Sequence, residues 1–558
     1  MRSSRLLRHV IAAALTLAAS VRSVEAQVGA RPHISARAEM ASAPMLPAVE
    51  RALARSVHPE RIREITRALT APRMEGRGTG TVGGERAARY IADHFASLGL
   101  VPRGERGSFL QSVPFRTYQV LPQTLMASGG EIFRFADDFV VSPEWSGEDA
   151  TVRGPLVFVG FGVADDALRH DDLARVDVLG KIAVVARGRP THVDEHAWSD
   201  VSAERRVIAG LAGRGAAAIV FVRYETEEEP FSLLRHYATF RNVALAEEPF
   251  TPAVRPPVLL MSDDAADRLF ERLGMSLDDE MARARAGAFV SRRISDQGTI
   301  AIRAHREAAT GNNVIGMLEG SDPVLRREAV VFSAHYDAYG VKDGVVHPGA
   351  ADNALGSAMM LAVAEGLAKA PTRPKRTVLF LATTGEEYGL LGAFHWVDHP
   401  TWPIKRIAAD LNFDGIGTET YAPVRRVVGF GAEFSELGDV LAEIANSADL
   451  TFTIDPFPDQ RPFSRSDQAA FAQKGIPSMA LLGLPEGDVS PAVARARRWL
   501  TTDYHQPSDS VRVDWDWSGP STLASVAMLV GWRVANAARP PHWHVGAPYH
   551  RWRGDGGE

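Results

Sequence analysis

From Gly311 to near the end of the chain, short buried-type apolar runs alternate with longer amphipathic ones, and few folds accommodate that order. The strand-like runs are Asn313–Leu318, Ala329–Ala334, Thr377–Ala382, Ile407–Phe413, Arg426–Gly429 and Pro477–Leu482. Helical patterns fall at Ala354–Ala370, Tyr388–Val397, Ser435–Ser447, Gln468–Lys474 and Ser521–Ala537. Alternation of this kind predicts an α/β fold, a mixed and largely parallel sheet with helices on both faces.

The remainder of the 558 residues reads differently. A chain of this length divides into several domains, because single cores stop growing at a few hundred residues. Arg2, Arg5 and Arg8 precede the apolar run Val10 to Ala19, and Val24-Glu25-Ala26 offers a small-residue cleavage site. Residues 1–26 therefore read as a secretory signal peptide, too short in its apolar run to span a membrane. Pro59 to Leu69 and Glu85 to Leu98 have helical rhythm and flank Gly78-x-Gly-x-x-Gly83. Those letters match a dinucleotide fingerprint, but that motif must follow a strand, and this one follows a helix and Pro72; the segment reads as a loop. From about Phe115 to Ile302 the pattern changes to short β-like runs with few helices between them, which marks an inserted β-rich accessory domain. The end of the chain, 541–558, is rich in Pro, Gly and Arg and reads as loosely packed.

Without residues 1–26 the chain carries 58 basic and 67 acidic residues, which argues against a nucleic-acid partner. There is no cysteine, so thiol nucleophiles, Cys–zinc sites and lipid anchoring through cysteine are all excluded.

Open α/β sheets place their sites at the carboxyl ends of strands. Three successive strand ends here deliver candidate ligands: His335-Tyr-Asp337, Glu386-Glu387 and Asp414. Asp352, before a helix, and His505, in Asp503-Tyr504-His505, add two more. Two imidazoles with three carboxylates suit zinc, and two Zn²⁺ ions would balance them with a bridging hydroxide. Adjacent Glu386 and Glu387 diverge, so one can bind metal while the other moves protons. Each element has a bland counterpart: a surface His-x-Asp, acids at a helix start, an Asp cap. Their arrival at consecutive strand ends is what argues for a site.

These motifs, in this order, resemble the di-zinc peptidases of clan MH, which include bacterial secreted aminopeptidases, glutamate carboxypeptidase and the transferrin receptor. The resemblance covers about Pro59–Leu100 and Thr310–Ala537, and Pro155–Met261 resembles the protease-associated (PA) domain inserted in many members. It implies a catalytic domain assembled from 27–114 and 303–540 around an insert at 115–302. It also implies two zinc ions per chain, with His335 and Asp414 on one, Glu387 and His505 on the other, and Asp352 bridging them. Glu386 matches the general base, Tyr504 the tyrosine that stabilises the oxyanion, and Asp337 a carboxylate that orients a ligand. Arg465 and Asp467 fall where the family forms its substrate pocket; the family's Ser-Asp is followed by His, where this chain has Gln468. The loop Val341–His347 is longer than in the simplest members, and His347 reads as loop decoration. His395 and His399, four apart, read as packing or surface residues.

The expected function is an exported metallopeptidase, periplasmic or extracellular, without a membrane anchor, acting on peptides or proteins and most plausibly from their amino termini. Carboxypeptidase action, a glutaminyl cyclase-like acyltransferase and a non-catalytic peptide-binding protein stand as alternatives. Oligomeric state is not legible.

Overall fold

The computed structural model describes residues 46–142, 149–226, 230–246, 256–287, 289, 291–457 and 460–549. The signal-peptide expectation for 1–26 lies outside these residues, as does 550–558 of the tail.

The described residues separate into two compact units, one containing Arg116–Ala308 and the other residues 46–115 together with 309–549. In the second unit the sheet runs in the order Ala304–Leu318, Thr377–Thr383, Ala329–His335, Ile407–Asn412, Ser478–Leu484, Arg426–Phe430 and Thr451–Thr453. The strand ending at His335 is parallel to both neighbours, Ile407–Asn412 is parallel to Ser478–Leu484, Ala304–Leu318 runs antiparallel to Thr377–Thr383, and Arg426–Phe430 runs antiparallel to Ser478–Leu484 but parallel to Thr451–Thr453. From Ala329–His335 the chain adds a strand on one side and then crosses to the other. That reversal creates a crevice at the carboxyl ends of these strands, where ligands of such sheets bind.

Period-two burial explains why both faces are covered. Val330, Phe332 and Ala334 join one core with Val378, Phe380 and Ala382, packed by the helices Gly356–Ala368 and Ser518–Asn536. Ala329, Val331, Leu379 and Leu381 join a second core on the opposite face with Trp396 and Phe471. The expected elements all form, with shifted ends. The helix expected from Ala354 begins at Gly356, because Asp352 and Asn353 leave helical geometry just before it. A helix at Ser490–Thr502, not expected from the sequence, precedes Tyr504 and His505.

The unit containing 116–308 has its own core and an eight-stranded mixed sheet. Contrary to the expectation of few helices, the described residues here include five, at Glu195–Val201, Glu204–Gly213, Phe231–Ala238, Asp263–Arg272 and Leu277–Arg285. Each is ten residues or shorter. Two to three turns leave a short apolar signal that a strand also gives.

The tail also departs from expectation. Trp543 is buried against Phe463, its indole N–H donates to Gly475 O at 2.8 Å, and Tyr549 packs on Phe434 and Phe463. Aromatic side chains among Pro and Gly are what anchor a stretch whose composition alone reads as loose.

Glu365 ties three helices together: its Oε1 accepts from Arg61 Nε at 2.7 Å and faces His94 Nε2 at 2.9 Å, with Lys369 Nζ at 3.8 Å from Oε2. Partial burial opposes ionisation, but His94 and Arg61 outweigh it and hold the carboxyl down at about 2. A depressed folded-state pKa gives stability that is present above the unfolded value and is lost as pH falls through the folded one. Glu365→Gln should therefore cost about 1–3 kcal/mol at pH 7, and the gap to wild type should narrow as pH falls below about 4.5, as read by urea unfolding across that range.

Candidate metal centre

Each acid and imidazole of the site is placed by a different piece of backbone. The parallel strands Ala329–His335 and Thr377–Thr383 end side by side, with His335 opposite Thr383. Beyond Thr383 the chain turns through Gly385, at φ 78, into a single 3₁₀ turn, Glu386–Tyr388, that carries both glutamates. Asp414 follows the strand Ile407–Asn412 directly. Asp352 sits in an irregular turn held from three sides. Its own N–H and that of Ala351 donate to Asp509 at 3.1 and 2.9 Å, and Asn353 Nδ2 donates to Phe413 O at 2.7 Å. Gly349 opens this turn at φ 53, and a Cβ there would lie 2.3 Å from Asp352 O and 2.5 Å from Ala338 Cβ, so the turn requires glycine.

The side chains converge. One oxygen of Asp352, Oδ1, lies 3.2 Å from His335 Nε2, and the other, Oδ2, lies 3.3 Å from His505 Nε2. Asp414 Oδ1 is 3.5 Å from His335 Nε2, and Glu387 Oε2 is 2.9 Å from His505 Nε2. Glu386 Oε2 stands 3.8 Å from His335 Nε2. Ligand atoms of His335, Asp352 and Glu387, and of His335, Glu386 and Asp414, fall within 4.8 Å of one another. The structure thus brings together all five expected ligands and Glu386. Asp337 lies behind His335: its Oδ1 is 3.7 Å from His335 Nδ1 and accepts from Glu386 N at 3.2 Å, while Oδ2 accepts from Thr79 Oγ1 at 2.8 Å.

The electrostatics are those of a site built for cations. Burial pushes the Glu387 carboxyl up to about 7, reinforced by the Asp352 charge and opposed by His505. Glu386 is driven well above the usual range by burial together with the neighbouring acids Asp414, Glu387 and Asp467, against the pull of His335. Burial disfavours a charged His335, yet Glu386, Asp337, Asp352 and Asp414 outweigh it and raise its pKa well above normal. One imidazole nitrogen can offer a single proton, but His335 Nε2 faces three carboxylates within 3.8 Å. A metal ion satisfies several such oxygens at once, so the donor set fits the group.

Tyr504 packs on His505 with ring centroids 3.5 Å apart and tilted by 30°, and also meets Trp499 at 5.5 Å. Arg465 ends the 3₁₀ turn Pro462–Ser464, and its charge acts on Tyr504. Asp467 is not where the pocket expectation put it. It is fully buried and accepts a hydrogen bond from Thr383 Oγ1, and burial lifts its carboxyl to about 7. Gln468, also buried, accepts from Asn412 Nδ2 at 2.8 Å and donates to Phe463 O at 2.9 Å. Both belong beneath the site. His395 and His399 pack ring against ring, 4.6 Å apart. His347 is buried rather than decorative, its Nδ1 3.0 Å from His505 O.

The residue sequence reasoning missed altogether is Arg77. Its guanidinium is fully buried and donates to four carbonyls: Tyr336 at 2.6 Å, Leu69 at 3.0 Å, Pro348 at 2.7 Å and Gly349 at 2.6 Å. Burial brings its pKa down to about 10 against the supporting charges of Asp509, Asp337, Glu387 and Asp352. It precedes the glycine-rich loop, and nothing in its neighbours' letters marks it.

Residues 313–530 match the model of peptidase family M28. A probable leucine aminopeptidase 2 of Aspergillus oryzae is 30% identical over 222 residues, covering 37% of this chain and 41% of that protein. Aminopeptidase YwaD of Bacillus subtilis is 30% identical over 209 residues, covering 36% of this chain and 40% of that protein. The similarity thus spans about two fifths of these relatives. The solved aminopeptidase of Aneurinibacillus sp. strain AM-1 shares the fold at a TM-score of 0.56 and 19% identity, over 89% of this chain and 98% of that one.

Replacing Arg77 by methionine keeps the bulk but leaves four carbonyls without their donor. The expected cost is about 3–5 kcal/mol in denaturant unfolding of the metal-free protein, with Arg77→Lys recovering less than half.

Proposed function

Taking the peptidase family M28 match over residues 313–530 as the premise, we propose that this protein is a di-zinc aminopeptidase, exported by the segment 1–26. The observation that carries the reading is the division of Asp352 between two imidazoles at 3.2 and 3.3 Å, each imidazole having a further carboxylate of its own. His335 and Asp414 would hold one zinc, His505 and Glu387 the other, and Asp352 both. Zinc bound there supplies Lewis acidity to the scissile carbonyl and to the attacking water.

The chain's own groups do the rest. Glu386 receives the proton of the attacking water and returns it to the leaving nitrogen. Its side chain is 10% exposed and that of Glu387 2%, which favours Glu386 as the group facing substrate. Asp337 fixes both the His335 ring and the Glu386 backbone, so base and ligand share one support. Tyr504, packed on His505, offers its hydroxyl to the developing oxyanion. A free α-ammonium would be met by the acidic rim of Glu386 and Asp414. The unit containing 116–308, read as a PA domain, would govern access rather than chemistry. Among the described residues no helix is long and apolar enough to cross a membrane.

Metal analysis of the purified protein should find about two zinc ions per chain, with activity abolished by chelation and restored by Zn²⁺. Full activity after exhaustive removal of metal would overturn the reading. Glu386→Gln should retain zinc while turnover falls at least ~100-fold, and Glu387→Gln should lose zinc; the reverse result exchanges the two roles.

Polarity is tested with one peptide in three forms: free, N-acetylated and C-terminally amidated. Aminopeptidase action predicts that acetylation blocks cleavage and amidation does not. The opposite pattern makes the enzyme a carboxypeptidase, with Arg465 as the carboxylate-binding candidate.

A further inference from the structure

Between Asp337 and Asp352 the chain forms a small hairpin, Gly340–Lys342 against Val345–His347, with Gly340 opposite His347. Its tip exposes Val341 and Val345 to about half, whereas its base is buried and lies against one half of the metal centre. On one side of the base, the Tyr339 ring sits 4.5 Å from the His505 ring, and its hydroxyl donates to Glu387 O at 3.4 Å. On the other side, His347 Nδ1 lies 3.0 Å from His505 O, close enough for Nδ1–H to donate. His505 adopts φ 61, the left-handed region that a side chain other than glycine occupies at a cost. Local bonds such as Gln506 N to Asp503 O at 2.9 Å close the turn around it, and His347 adds a contact from outside the segment.

The other half of the centre has a separate support. His335 lies at the end of a sheet strand, its carbonyl accepts from Ser357 Oγ at 2.8 Å, and its ring is backed by Asp337. Both ends of the hairpin base instead meet the two residues, His505 and Glu387, that form the opposite half.

We propose that the hairpin base is a clamp dedicated to the His505–Glu387 half of the metal centre, with His347 and Tyr339 as positioning residues. His347 fixes the His505 backbone in its left-handed turn, and Tyr339 fixes the ring plane and the carbonyl of Glu387. The clamp thereby sets the affinity of one metal position without touching the other. This rests on the di-zinc reading above.

The test is a zinc titration of the metal-free full-length protein against a competing chromophoric chelator, with bound metal counted by mass spectrometry. Wild type should bind two zinc ions. His347→Leu should weaken one of them about 10–100-fold and leave the other unchanged, the size of effect that outer contacts have on metal sites. His347→Asn, whose side-chain amide N–H can replace Nδ1–H, should recover most of that loss. Tyr339→Ala should weaken the same ion, and Tyr339→Phe much less. His347→Leu should be non-additive with Glu387→Gln and additive with Asp414→Asn, which assigns the affected ion to its half of the centre. Unfolding midpoints of the metal-free variants separate positioning from loss of fold. If His347→Leu does not fold, the contrasts between His347→Asn and His347→Gln and between Tyr339→Phe and Tyr339→Ala decide the matter. Unchanged affinities, equal weakening of both ions, or no advantage of Asn over Leu would overturn the clamp while leaving the di-zinc enzyme intact. A wild-type protein that binds fewer than two zinc ions overturns the di-zinc reading and the clamp with it.

Discussion

Asp352 shares its carboxylate between His335 and His505, and the arrangement of the unit around it follows from holding that one group in place. Carboxylates gathered at van der Waals distance in a buried site repel one another, and the repulsion is offset only by cations or by hydrogen bonds to their oxygens. Asp352 has both imidazoles, and these outweigh its burial and hold its carboxyl below the usual range. The turn around it is tied down in turn. Asp509 takes two backbone N–H groups of the turn, and Asn353 reaches across to the strand end that leads into Asp414. Moving Asp352 would therefore disturb the ends of two strands and the loop behind His505 together.

Arg77 supplies the fixed positive charge in this acid-rich region. Its four carbonyl partners come from the helix Pro59–Leu69, from the residue after His335 and from the loop that opens into Asp352. A guanidinium presents five donors in a rigid plane, so one side chain can brace three separate segments; a lysine could not span them. The charge also lies close enough to Asp509, Asp337, Glu387 and Asp352 for each to act on it. Burying an arginine is costly unless its donors are used. Here they are, and the cost is offset by the order imposed on the ligands. This is how residues 46–115, far in sequence from every candidate ligand, are joined to the unit that carries the site.

Much of the site was legible in the sequence, for a physical reason. Ligands at strand ends follow runs of apolar residues, and such runs announce the strand and its end together, as at Ala329–His335 and Thr377–Thr383. His335, Asp337, Glu386, Glu387 and Asp414 could be picked out that way, whereas Asp352 and His505 lie in loops and were candidates only beside them; the structure brings all of these side chains together. Residues that act through backbone carbonyls left no such trace. Arg77 and His347 make their decisive contacts with main-chain oxygens, whose positions no local pattern reports. Asp467 was legible as a neighbour of the site but not as a buried one, because whether an acid faces solvent or the underside of a sheet depends on packing around Thr383 and Gln468. The short helices of the 116–308 unit were lost to a related limit, two to three turns being too little periodicity to read.

The glycine-rich loop shows how the same letters can serve a different physical purpose. In a dinucleotide site the glycines of this pattern let a backbone approach phosphate. Here the close approach is to protein. A Cβ on Gly83 would lie 2.3 Å from Met74 O, one on Gly84 2.5 Å from Gly78 O, and one on Gly76, at φ 60, 2.4 Å from His347 O. The loop is thus compressed against its own helix and against the hairpin that ends at His347. Gly78 pairs with Ala338, Thr81 caps the following helix through Gly84 N, and Thr79 reaches Asp337. With Arg77 beside it, this segment touches the carboxylate behind His335 and the loop leading to Asp352. Glycines here remove bulk so that a hydroxyl and a guanidinium can reach the supports of the candidate ligands, and the motif braces the candidate metal centre from behind without contributing a side chain to it.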